Sequence, residues 1–197
     1  MSKYSDFYKT EFGKKILNRE FNYVLKNLEG CKNVLSVGCG PGFLESKLIE
    51  EGKNVTCIDV SEEMTKEAPK QLNVVLGSAE EMNFENKSFD AVIYITSLEF
   101  IEDYKKAIKE TVRVLKPSGK ILMLMLNPKS KYFIKKKEKP GSYFMRITKV
   151  NLNEIEEFIK NYFSIETNYF LGIKHREIFD SNDPKLASLY VIKGVKR

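Results

Sequence analysis

The run Val34-Leu-Ser-Val-Gly-Cys-Gly-Pro-Gly-Phe-Leu-Glu45 constrains this chain more than any other stretch. Apolar and small residues lead straight into Gly38, Gly40 and Gly42, and a helical pattern begins at once. The order predicts a buried strand, a tight turn and a helix N-terminus. Glycines let a backbone bend sharply and let a ligand approach it closely, and a helix N-terminus favours anions. A Gly-x-Gly-x-x-Gly dinucleotide fingerprint would need a small residue at position 43, where Phe43 stands. That disfavours a NAD-dependent dehydrogenase.

Short apolar runs recur along the chain at Asn33–Gly38, Asn54–Asp59, Asn73–Ser78, Phe89–Thr96 and Lys120–Leu126. They are continuous rather than alternating, as expected of strands covered on both faces. Helical patterns lie between them. Residues 10–28 space Phe12, Ile16, Phe21, Val24 and Leu28 along one side and stop at Gly30. Phe43–Glu51 ends at Gly52, and Ser61 caps a helix that Pro69 ends. Asp103 caps a helix to Lys116. Alternation of this kind predicts an α/β fold, Rossmann-like and doubly wound, with helices on both faces of a mostly parallel sheet. Asn151-x-x-Glu154 reads as a capping box for a helix over Glu154–Tyr162. Phe163–Tyr169 and Leu189–Val195 then read as two strands pairing antiparallel at the C-terminal edge, for seven strands in all.

With 197 residues, 42% apolar and 30% charged, the chain suits one globular domain with a sizeable core. No apolar run reaches the roughly 20 residues of a membrane span, and the first residues carry no secretory signal pattern. The expectation is a cytoplasmic protein with no membrane partner. Cys31, Cys39 and Cys57 form no Cys-x-x-Cys pair and read as reduced, packed thiols. A single histidine argues against a metal centre.

Four features fall in order at the carboxyl ends of predicted strands, where open α/β sheets bind ligands. The glycine turn can wrap the amino-acid end of a ligand. Asp59 follows Gly38 at the distance of a ribose-binding acid. Gly77-Ser-Ala-Glu80 ends strand three, and Tyr94-Ile-Thr-Ser-Leu-Glu99 closes strand four. These residues resemble the class I S-adenosylmethionine-dependent methyltransferases of the small type 11 family, over roughly residues 4–127. Ser61-Glu-Glu-Met64 is similar to the family's Ser-x-x-Met, Gly77–Glu80 to its Gly-Asp-Ala-Glu, and Val114-Leu-Lys-Pro-Ser-Gly119 to its later motif. Phe7-Tyr-Lys-Thr-Glu-Phe-Gly13 is similar to a lead-in whose aromatic residue covers the cofactor.

The resemblance implies S-adenosylmethionine as cofactor and S-adenosylhomocysteine as product. It implies cofactor binding by Tyr8 or its neighbour Tyr4, Gly38, Gly40, Gly42, Asp59, Val60, Ser61, Met64, Ser78, Ala79, Glu80 and Thr96. Residues 1–30 become a helical cover over the cofactor, and 128–150 an insertion or lid after strand five. Two departures stand out. Ser78 replaces the acid that usually accepts from the adenine amino group, and Phe100 replaces a histidine that follows Glu99's counterpart in many relatives. Glu99 and His175 are the catalytic candidates: Glu99 either orients an amine or a metal or faces solvent, and His175 lies in a loop between the last two strands.

Residues 129–149 carry eight Lys and Arg against Glu138 alone, so the net charge of +6 resides there. Three readings stand: a solvated loop, a site for a small acidic or phosphorylated acceptor, or an RNA-binding patch using Tyr132, Phe133, Tyr143 and Phe144. The expected activity is methyl transfer to a small-molecule acceptor by a monomer or homodimer. The alternatives are an RNA or protein methyltransferase and a cofactor-binding protein without turnover.

Overall fold

In the computed structural model, residues 3–147 and 151–197 are described; Thr148, Lys149 and Val150 of the basic segment lie outside them, as do Met1 and Ser2. The chain opens with α1 (Lys3–Lys9) and α2 (Glu11–Asn27). Thr10 caps α2 by accepting from the Gly13 amide. Gly13 is obligatory in packing terms, because a Cβ there would collide with the Phe7 carbonyl. The two helices can therefore turn against one another within a few residues.

Strands and helices then alternate, except that no helix separates β3 from β4: β1 (Asn33–Val37), α3 (Phe43–Glu50), β2 (Asn54–Asp59), α4 (Glu62–Thr65), β3 (Asn73–Leu76), β4 (Phe89–Ile95), α5 (Tyr104–Val114) and β5 (Leu115–Leu126). A short 3-10 turn, Leu98–Phe100, separates β4 from α5. The last third supplies α6 (Lys131–Lys137), α7 (Leu152–Lys160), β6 (Phe163–Lys174), β7 (Glu177–Phe179) and β8 (Ala187–Lys196).

The strands form one sheet in the order β3-β2-β1-β4-β5-β8-β6-β7. β1 pairs in parallel with both β2 and β4, so the winding reverses between β1 and β4. β8 runs antiparallel between β5 and β6. The sheet has eight strands rather than the expected seven. The extra strand, β7, is three residues long and pairs only with β6, through a hairpin whose His175 and Arg176 both have positive φ. The antiparallel part is thus three strands wide, and β7, not β8, forms the edge.

Successive side chains of a strand point to opposite faces. Val34, Ala91, Ile93, Leu122 and Leu124 join a core with α2 and α3, whereas Leu35, Val37, Val92, Tyr94 and Met123 join a second core with α5 and α7. Both faces are covered, which explains the continuous apolar runs. Cys31, Cys39 and Cys57 are buried free thiols. No helix among the described residues is long and apolar enough to cross a membrane.

Two expectations on helices need correction. The helix capped by Ser61 is a single turn ending at Thr65, well short of Pro69. The basic segment is not merely a loop, since it contains α6, capped by the Ser130 hydroxyl accepting from the Phe133 amide.

Asp90, at the start of β4, fastens the end of the sheet opposite the glycine turn. Its carboxylate accepts from the Lys32 and Asn33 amides at 2.9 and 2.7 Å and pairs with Lys116 at 2.6 Å. Burial alone would raise its pKa, but these partners outweigh it and hold the pKa low.

Candidate functional site

The reversal between β1 and β4 leaves a crevice at the carboxyl ends of the parallel strands. β1 ends at Val37, and Gly38, Gly40 and Gly42 all take positive φ as the chain turns into α3. The three glycines serve different needs. A Cβ on Gly38 would lie 2.5 Å from the Ser97 Cβ, so this glycine lets the end of β4 close on the turn. Ser97 then donates to the Val37 carbonyl at 2.6 Å. A Cβ on Gly42 would strike Leu72. Only at Gly40 would a side chain enter the space between Met64, whose Cε would lie 3.2 Å away, and Tyr4. The chain's own packing explains Gly38, while Gly40 forms the floor of an open cradle.

Asp59 ends β2 beside that turn. One oxygen accepts from the Gly40 amide at 2.7 Å and the other from the Ser61 amide at 2.9 Å. A carboxylate has about four lone-pair sites, so both oxygens keep capacity for hydroxyl donors. Ser61 caps α4 at the Met64 amide, and Val60 is 71% exposed. At the end of β3, the Ser78 hydroxyl accepts from the Glu80 amide. Ala79 is buried, and Glu80 accepts from the Asp103 amide at 3.0 Å, joining this loop to α5. Thr96, after β4, holds a left-handed conformation with φ of 48°. Such conformations carry strain in a residue with a branched side chain.

α1 lies over the glycine turn. Ser5 donates to Glu67, tying α1 to the segment after α4. Tyr8 packs on Phe43 with ring centroids 5.8 Å apart. Beneath α1 lies a pocket that includes Tyr4, Tyr8, Glu20, Gly38, Cys39 and Glu45 in its lining. Burial raises the Tyr8 hydroxyl well above its ordinary pKa, with Glu20 adding to the effect.

Two of these residues, Glu20 and Glu45, are absent from the expected site. Glu20 is 3% exposed, and burial pushes its carboxyl up to about 8. Its Oε2 has no hydrogen-bond partner among the described residues. Glu45 is equally buried, accepts from the Ser36 hydroxyl at 2.6 Å and is pushed up to about 7, again mainly by burial. A signal for Glu20 exists in the sequence: it falls on the stripe Ile16, Glu20, Val24, which α2 turns inward. An acid in an otherwise apolar stripe calls for a partner.

Glu99 does not face solvent. Its Oε1 accepts from the Leu126 amide, its Oε2 is buried without a partner among the described residues, and burial pushes it up to about 7. It joins the 3-10 turn after β4 to the end of β5. His175 is exposed in the β6–β7 hairpin. No group of three or more possible metal ligands occurs among the described residues.

α6 lies against α1. Lys136 sits over the rings of Phe7 and Tyr132, at 5.7 and 5.4 Å from their centroids. Lys137 sits over Phe133 and donates to the Ile147 carbonyl at 3.0 Å. Two charges of the basic run are therefore engaged by the fold, while Lys131, Lys135 and Lys139 remain exposed. The side chains of Tyr143 and Arg146 lie outside the described residues.

Residues 35–123, which contain the glycine turn, Asp59 and Glu99, match a family model described as a methyltransferase domain. The chain is 34% identical over 120 residues to a ubiquinone/menaquinone biosynthesis C-methyltransferase, UbiE, of Rickettsia bellii, covering 53% of this chain and 48% of that one. It is 35% identical over 130 residues to the UbiE of Rickettsia felis, covering 58% and 52%. The chain thus spans about half the length of these curated relatives. A SAM-dependent methyltransferase from Archaeoglobus fulgidus shares the fold over 100% of both chains, with a TM-score of 0.79 and 21% identity. One from Thermotoga maritima does so over 92% of this chain and 89% of its own, with a TM-score of 0.75 and 21% identity.

Proposed function

We propose that the chain is a class I S-adenosylmethionine-dependent methyltransferase, a reading supported by the match of residues 35–123 to a methyltransferase domain and by the UbiE relatives, and that it moves the cofactor's methyl group to a small-molecule acceptor. The observation that carries this reading is Asp59, which braces the glycine turn through Gly40 and Ser61 while its oxygens can still accept from ribose hydroxyls. Gly40 fits the cofactor as well, since a cradle that a Cβ would fill stands open beside it. When bound, the cofactor supplies an electrophilic methyl on a sulfonium whose charge disperses as the methyl leaves.

The protein's task is then positioning and exclusion of water. Asp59 would hold the ribose, and Gly38, Gly40 and Gly42 would shape the turn for the amino-acid end. Val60, Ser61 and Met64 would flank the ribose, and Ser78, Ala79 and Glu80 would lie toward the adenine. Thr96 would lie toward the reacting end. Tyr4 and Tyr8 on α1 roof the pocket, and α6 acts as a lid on the acceptor side. Glu99, half-buried with its Oε2 unpaired among the described residues, is the group at the β4 mouth suited to take a proton from an acceptor that must lose one. His175, in an exposed hairpin, is the weaker choice.

The exposed lysines of the basic segment favour an acidic or phosphorylated acceptor. Lys136 and Lys137 are occupied by aromatic rings, which leaves a smaller basic surface than RNA binding by stacking and charge would use. The test is transfer of labelled methyl from S-adenosylmethionine to a panel of quinol, phenolic, amine, carboxylate and phosphorylated small molecules, with bulk tRNA and protein alongside. Label in a small-molecule fraction supports the reading. Label only in tRNA or protein, or binding with no transfer to any class, replaces it.

A further inference from the structure

The pocket under α1 contains an unmatched charge. Its Glu20 and Glu45 carboxyls are both at least nine-tenths buried, yet among the described residues no Lys, Arg or His contributes to its lining. The ionisable groups facing Glu20 are Tyr4 and Tyr8 from α1, Cys39 from the glycine turn, Glu45 from α3 and Tyr132 from α6. None of these is a cation. Glu45 has a protein partner in Ser36 and Glu20 has one in the Tyr8 hydroxyl, but the Glu20 Oε2 keeps no partner among the described residues. A buried carboxyl without a counter-charge stays protonated, and a cation brought beside it favours the ionised form.

Building on the cofactor site assigned above, we propose that Glu20 is the counter-charge for a cationic group of the bound cofactor, and that binding expels the carboxyl proton into solvent. The only bond broken is the Glu20 carboxyl O–H, whose proton passes to a buffer base as the cation takes its place. The cofactor offers two such groups, an ammonium and a sulfonium, and the demethylated product keeps only the ammonium. Neutral Glu20 therefore keeps the empty pocket free of buried charge, and ionised Glu20 retains a cationic ligand. Its raised pKa, about 8, makes it largely protonated at pH 7 and so able to release close to one proton there.

The experiment is calorimetry of S-adenosylhomocysteine and S-adenosylmethionine in phosphate and Tris buffers, whose different ionisation heats report the protons released. At pH 7 the wild-type protein should release close to one proton, and its affinity should rise about tenfold between pH 6 and pH 7. Glu20→Gln, which keeps the side chain's shape, should abolish both effects. Release with both ligands places the ammonium beside Glu20; release with S-adenosylmethionine alone places the sulfonium there, and either supports the counter-charge. Binding without proton release in the wild-type protein overturns the proposal and leaves the cofactor site standing. So does a pH slope that survives Glu20→Gln. Absence of binding by either ligand overturns the cofactor site itself.

Discussion

The carboxylate of Asp59 accepts a hydrogen bond from the Gly40 amide at 2.7 Å, joining the end of β2 to the middle of the glycine turn. One acid thus shapes the turn as well as facing the crevice. Asp59→Ala should cost about 1–3 kcal/mol of S-adenosylhomocysteine affinity, since charge-assisted bonds are lost. It should also lower the melting temperature of the ligand-free protein, because the Gly40 and Ser61 amides lose their acceptor. Calorimetry and thermal melting read the two effects separately.

Gly38 and Gly40 should respond differently to a methyl group. Gly38→Ala places a Cβ against Ser97 and a side chain in a left-handed backbone. It should destabilise the fold by about 2–4 kcal/mol, the sum of overpacking and conformational strain. Gly40→Ala shares the backbone penalty, presses only on the flexible end of Met64 and points into the cradle, so its main effect should be on ligand affinity. Denaturant melts beside binding isotherms distinguish the two.

Stability of the ligand-free protein should fall as pH rises from about 5 to 8. Glu20, Glu45 and Glu99 are raised to about 8, 7 and 7 in the fold, with burial the largest cause each time. In the unfolded chain they ionise near their ordinary carboxylate range. Between those limits the folded state binds more protons, so raising pH favours unfolding. Each carboxyl contributes on the order of 1 kcal/mol per pH unit across its window. Glu20→Gln should flatten the curve above pH 7, where Glu20 is the main group still titrating. A denaturation series showing constant stability over this range would refute the assignment of buried, neutral carboxyls.

The exposed and engaged lysines of the α6 region should separate by mutation. Changing Lys131, Lys135 and Lys139 to Ser should leave the melting temperature and S-adenosylhomocysteine affinity nearly unchanged, and should raise KM for an anionic acceptor with a flatter salt dependence. Lys136→Ser removes contacts with Phe7 and Tyr132, so it should weaken docking of α6 on α1 and increase proteolytic cleavage within residues 128–147. Equal KM values in the wild-type and triple-variant proteins would make the exposed lysines a solvated surface.

The parallel half of the fold was legible because its signals are local. Continuous apolar runs marked β1, β2 and β4, and Ser61, Asp103 and Asn151 cap helices as their positions suggested. The C-terminal part was harder. β7 is three residues long, and its hairpin turns through His175 and Arg176 with no glycine or asparagine to announce positive φ. α6 was hidden by its lysines, although Ser130 stood at its N-cap. In the site, Asp59 and the glycine turn followed from spacing. Glu20 did not, because its meaning depends on α1 and α6 closing over it. The separate purposes of Gly38 and Gly40 likewise needed the position of Ser97, which lies far along the chain and bonds to Val37 sixty residues away.

The most direct test of the account is calorimetric titration of the wild-type protein and Asp59→Ala with S-adenosylhomocysteine, and of the wild-type protein with NAD⁺. The account predicts saturable one-site binding of S-adenosylhomocysteine to the wild-type protein, at least about fivefold weaker binding to the variant, and no heat of binding for NAD⁺. Binding of NAD⁺ in preference to S-adenosylhomocysteine, or equal affinity of the two proteins for S-adenosylhomocysteine, would contradict it.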